Sequence, residues 1–119
     1  MFRKITSVAL IACLVASGIA LNADPVGGAK ESYTSVEANA TDVYQLECYG
    51  EEATAIRIDG DNDTDLDLYV YDGNGNLIVA GESYSDFEKV IVSPFYRQTL
   101  TIKVVNRGGV YNRYALNAW

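Results

Sequence analysis

From about residue 42 onward, apolar and polar residues alternate with a period of two, the pattern of strands that bury one face and wet the other. It predicts strands over 43–49, 54–59, 66–71, 76–80, 87–92, 99–106 and 111–118, each short and rich in Val, Ile, Tyr and Thr. The clearer ones mark their own inward face: Ile56 and Ile58; Leu66, Leu68 and Val70; Leu100, Ile102 and Val104; Tyr114 and Leu116. The opposite faces carry Arg57, Asp65, Asp67, Lys103 and Arg113. Turn residues separate the strands. Asp72-Gly73-Asn74-Gly75-Asn76 supplies Gly and Asn for positive φ and reads as a hairpin turn, Arg107-Gly108-Gly109 reads the same way, and Ser93-Pro94 interrupts the run after Val92. No stretch carries an apolar stripe at helical spacing, and there is no internal repeat. The expected fold is all-β, an antiparallel sandwich of jelly-roll type with about seven to eight short strands.

The first forty residues differ. Arg3 and Lys4 precede an uncharged apolar run from Ile5 to Ala20, which gives way to Asn22, Asp24 and Pro25. This is the layout of a secretory signal peptide over 1–23, with cleavage after Ala20 or after Ala23, and the run falls short of the ~20 residues that span a bilayer. Leu10-Ile11-Ala12-Cys13 resembles a lipobox, but the apolar stretch before it is short and the residues after it stay apolar. Residues 24–41 are small and polar and are expected to form a flexible leader or a first edge strand near 33–36, ahead of a domain over 42–119. The expected location is secreted or periplasmic.

Loss of that leader removes two cations and no acid, taking the net charge from −7 to −9. Such a surface repels nucleic acid and anionic membrane and suits divalent cations or basic partners. One cysteine, Cys48, remains; it shares a strand face with Tyr44 and Leu46, which predicts a buried, inert thiol. The chain has no histidine, which removes Ser-His-Asp and Cys-His catalysis and His-ligated zinc together. Paired carboxylates alone are a weak signal for glycoside hydrolysis. No catalytic residue is expected.

The most distinctive passage runs from Asp59 through Gly60, Asp61, Asn62, Asp63, Thr64, Asp65, Leu66, Asp67, Leu68, Tyr69, Val70 and Tyr71 to Asp72. Extended, its alternating aspartates would project to one side as hard oxygen ligands, the donors Ca²⁺ prefers, and a bound cation would relieve their mutual repulsion. Asp61, Asp63 and Asp65 are the foremost candidates, with Asp67 and Asp72 behind them. An EF-hand is excluded, because Leu66 stands where the sharp-turn Gly belongs and the flanks read as strand. The competing reading is that these aspartates cap turns and keep the surface soluble. Tyr69 and Tyr71 fall on the outer face of the same strand and offer flat rings for stacking on a sugar or an extended peptide. Two glycosylation sequons stand at Asn39 and Asn62. Trp119 is expected to plug the end of the sandwich.

The acidic loop entering DLDLYVYD, followed by the turn GNGN, resembles the hallmark of the bacterial pre-peptidase C-terminal domain. The strand over 100–106, the Gly pair and the closing NRYALNAW resemble that family's final hairpin, so the likeness spans roughly 43–119. Phe95-Tyr96-Arg97-Gln98 stands where the family usually has a Gly before the strand. The resemblance implies a β-sandwich that serves as an accessory module beside a secreted peptidase, with relatives that bind calcium or insoluble protein such as collagen. A stand-alone version of the domain, with no peptidase attached, is expected here. The functional expectation is a non-catalytic module, calcium-stabilised, that engages an extracellular protein or polysaccharide; the alternative is a structural or chaperone-like partner of a separately encoded secreted peptidase. Neither nucleic acid nor, after signal cleavage, membrane is an expected partner.

Overall fold

In the computed structural model, residues 25–119 are described in full and Arg3–Ile5 by backbone alone. Apart from that tripeptide, the expected leader and its cleavage positions lie outside the described residues. The period-two segments become strands because alternation lets each bury one face while the backbone pairs laterally. In chain order they are β1 Arg3–Ile5, β2 Lys30–Val36, β3 Thr41–Cys48, β4 Thr54–Gly60, β5 Leu66–Tyr71, β6 Leu77–Gly81, β7 Phe87–Val92, β8 Gln98–Asn106 and β9 Asn112–Ala118. One sheet has the order β1-β3-β8-β5-β6 and the other β2-β9-β4-β7, with every pairing antiparallel. They are called the first and second sheets below.

Between the sheets lies an apolar core to which both contribute. Tyr44, Leu46, Leu66, Leu68, Val70, Leu100, Ile102 and Val104 face in from the first sheet, and Ile56, Ile58, Tyr114 and Leu116 from the second; all are fully buried. Every inward residue marked by the alternation is among them. Cys48 is buried in the same cluster, as its strand parity predicts. A polar tie across this interior joins the sheets directly. Tyr114 Oη donates to Asp42 Oδ2 at 2.6 Å and lies 2.5 Å from Tyr44 Oη.

The Asp72–Asn76 turn forms as expected, with Gly75 at φ 84° and the Asp72 carboxylate accepting the backbone N–H groups of Asn74 and Asn76, each at 2.9 Å. These bonds hold the Asp72 carboxyl below its ordinary range. Two expectations change. Strands β8 and β9 lie in different sheets, so their connection crosses the sandwich and is not a hairpin. Gly108 there has no positive φ; it is required because a Cβ would collide with the Thr64 side chain. Residues 30–36, within the polar segment, form the edge strand β2 along the whole of β9, and Pro25 and Val26 join the edge of β3, where Val26 N–H donates to Glu47 O at 2.8 Å.

Candidate functional site

The acidic run is not one extended strand. Strand β4 ends at Gly60, Asn62 turns the chain with φ 65°, and β5 begins at Leu66. The aspartates are therefore distributed around a corner between the two sheets. Asp61 and Asp63 are exposed on the loop, Asp65 is half-buried at the entry to β5, and Asp67 is buried one step along it. Asp72 sits at the far end of β5, about 20 Å from Asp65 at strand rise, and serves its turn.

A buried aspartate that alternation alone did not single out holds this corner together. Asp86 accepts Asn62 N–H at 2.5 Å and Asn112 Nδ2 at 3.1 Å on Oδ2, while its backbone carbonyl accepts Gly60 N–H at 3.0 Å. Asn112, fully buried, also donates to Thr64 O and Oγ1 and accepts Asp61 N–H at 3.1 Å. Glu88 lies two residues on and is buried too, accepting Ser83 N–H at 2.8 Å and Ser83 Oγ at 2.5 Å. The sequence did carry a signal for both: Asp86 and Glu88 share the parity of inward Val90 and Val92, so acids at those positions had to enter the sandwich.

Asp67 Oδ2 takes Arg107 Nε at 2.8 Å, and Arg107 Nη2 reaches Tyr69 Oη at 2.7 Å. Tyr69 in turn donates to Glu82 at 2.7 Å. Tyr71 lies under the Lys103 ammonium, 4.9 Å from the ring centroid. Both tyrosines are on the outer face, as strand parity predicts, but each is half-buried and engaged with a neighbouring cation.

Two features of the corner bear on a cation. Asp65 Oδ1 and Asp67 Oδ1 are buried and accept no hydrogen bond. Burial first, then the negative fields of Asp67 and Glu88, push the Asp65 carboxyl above its ordinary range, with Arg107 opposing. These are hard oxygens of the kind calcium takes. Their fit to an ion is partial: among the described residues no three Asp, Glu or Cys side chains are close enough to hold one together. Asp65 and Asp67 carry the two unpartnered oxygens, and Asp72 is not part of this corner.

The raised carboxyl has a consequence for stability. A folded-state value above the unfolded one means that the penalty of Asp65 is absent below the unfolded pKa of about 3.9 and complete once pH has risen through the folded value. In EDTA, Asp65→Asn is therefore expected to raise the thermal midpoint at neutral pH by a few degrees, with the gain vanishing as the medium is acidified. A pH scan of both proteins checks this.

Two antiparallel sheets packed face to face, with an Asp-rich corner between them, make this chain a β-sandwich. The chain matches the solved pre-peptidase C-terminal domain of a collagenase from Bacillus anthracis with a TM-score of 0.61, over 76% of this chain and 88% of that one. Identity is 13%, so the likeness is one of fold. No family model matches the sequence, and no curated protein matches it significantly.

Proposed function

We propose that the chain is a non-catalytic secreted or periplasmic module that engages an extracellular polymer or protein through an outer face of its sandwich. The observation that carries this reading is the shared fold with an accessory domain of a collagenase, in a chain without histidine. Non-catalytic β-sandwiches of this kind act through side chains displayed on a rigid sheet, and both outer faces here carry ordered aromatic and cationic groups.

Calcium is the proposed companion of the acidic corner. The buried, unpartnered oxygens of Asp65 and Asp67 support it, and exposed Asp61 and Asp63 are on the adjoining loop. The ion would supply charge neutralisation and cross-linking of the loop to β5, not a reaction step.

Co-sedimentation of the whole chain with collagen fibrils, chitin and cell-wall material tests the module reading. Saturable retention on one of them is expected, whereas absence from every pellet contradicts it. The neighbour's place in a collagenase also supports a second reading, a partner of a separately encoded peptidase, and binding to a peptidase with no polymer retention would favour it.

A further inference from the structure

The outer face of the second sheet carries an arrangement that neither core packing nor the acidic corner explains. Trp119 continues the β9 ladder against β4, exchanging backbone hydrogen bonds with Ala55 at 3.0 and 2.8 Å. Since Ala118 and Leu116 point inward, its indole lies on the outer face and is 42% exposed, not plugged into the end of the sandwich. Arg57 on β4 stands directly opposite Lys89 on β7, and both cations lean over the indole, at 5.5 and 5.3 Å from the ring centroid.

Like charges directly opposite across a strand pair destabilise a sheet. Among the described residues Arg97 pairs with Glu47 and Arg107 with Asp67, and neither Arg57 nor Lys89 joins a carboxylate. Arg57 Nε is buried and has no hydrogen-bond partner. The acids of the same face are Asp59, beside Phe87, and Glu31, on the far strand β2. On a chain of strongly negative charge, two adjacent unpaired cations around an exposed indole are a local inversion of sign.

From this we infer that the Arg57–Lys89–Trp119 face binds an anionic polysaccharide, a carboxylated or sulfated sugar chain. The inference rests on the binding-module reading and names its site and ligand class. Strand β4 is paired on both sides, so the centre of this face has no free backbone groups to offer an extended peptide. Recognition has to come from side chains. An acidic substituent would lie between the guanidinium and the ammonium, while the sugar ring packs on the indole and Asn117, opposite Arg57, meets a hydroxyl.

Trp119 is the single tryptophan, so its emission reports on the site directly. The whole chain is titrated with polygalacturonate, with heparin, with uncharged dextran and with poly-glutamate. A saturable emission change with polygalacturonate identifies a carboxylated ligand and one with heparin a sulfated ligand; either supports the inference if Lys89→Glu and Arg57→Gln each weaken it at least about tenfold. Both substitutions are at surface positions, and thermal unfolding confirms that the variants fold. No change with either acidic polysaccharide, an equal response to poly-glutamate, or a response untouched by both substitutions overturns it. Co-sedimentation of the unaltered chain separates the two claims: retention on an insoluble polymer without an emission response to either acidic polysaccharide overturns this site and leaves the module standing, whereas neither retention nor emission response removes both.

Discussion

Tyr114→Phe is expected to cost about 2 kcal/mol of stability, a fall in thermal midpoint of roughly 10 °C for a domain of this size. The hydroxyl removed is the bridge of the interior. It donates to the carboxylate of Asp42, which is nearly buried, and it meets the hydroxyl of Tyr44, so its loss removes two contacts, one of them to an acid. Burial first, and then the bonds to Asp42 and Tyr44, keep the Tyr114 phenol protonated far beyond its ordinary range, so the donor is present at any pH the fold survives. Tyr44→Phe leaves the Tyr114–Asp42 bond in place and is expected to cost about half as much. Urea unfolding of the two variants measures the difference. Equal and negligible losses would mean that the bridge contributes nothing net.

Leu68→Ala is expected to be more damaging, at about 3 kcal/mol, because the side chain is fully buried in a core supplied by two sheets and its removal leaves a cavity. It also tests strand parity at the centre of the acidic segment. The adjacent Tyr69→Ala removes a larger side chain from the outer face and a half-exposed bond to Glu82, and is expected to cost about 1 kcal/mol or less. The reverse ranking, read from the same denaturation curves, would place the wrong face of β5 in the core.

Strand positions and inward faces were legible because alternation is a local signal, repeated in every strand, and burial enforces it. Residues 66–71 and 87–92 were delimited to the residue, and Ile56, Ile58, Leu100, Ile102 and Leu116 all face the core. The fold resemblance was also legible in the DLDLYVYD segment, and a solved structure of that type matches. What alternation does not encode is which sheet a strand joins. Strands β8 and β9 are consecutive and turn-linked, yet their partners are 30 to 88 residues away in the chain, and the linking Gly108 serves a contact with Thr64 made by the distant β4–β5 loop.

The acidic site was legible only in part for a related reason. An alternating string of aspartates reads as one face only if the backbone stays extended, and Asn62 ends that condition. The groups that organise the corner, Asp86 just before β7 and Asn112 at the start of β9, reach it only after the sheets have packed. Trp119 was misplaced similarly: its outward position follows from continued pairing with Ala55, and its charged neighbours Arg57 and Lys89 come from two other strands.

The claim that joins fold, corner and function is that a cation completes the acidic corner at Asp65 and Asp67. It is tested most directly by the thermal midpoint of the chain in EDTA and in millimolar Ca²⁺, with Asp65→Ala and Asp67→Ala alongside. A rise of several degrees on adding calcium, lost in both variants, is the predicted result. No rise, or a rise that both variants retain, would contradict it.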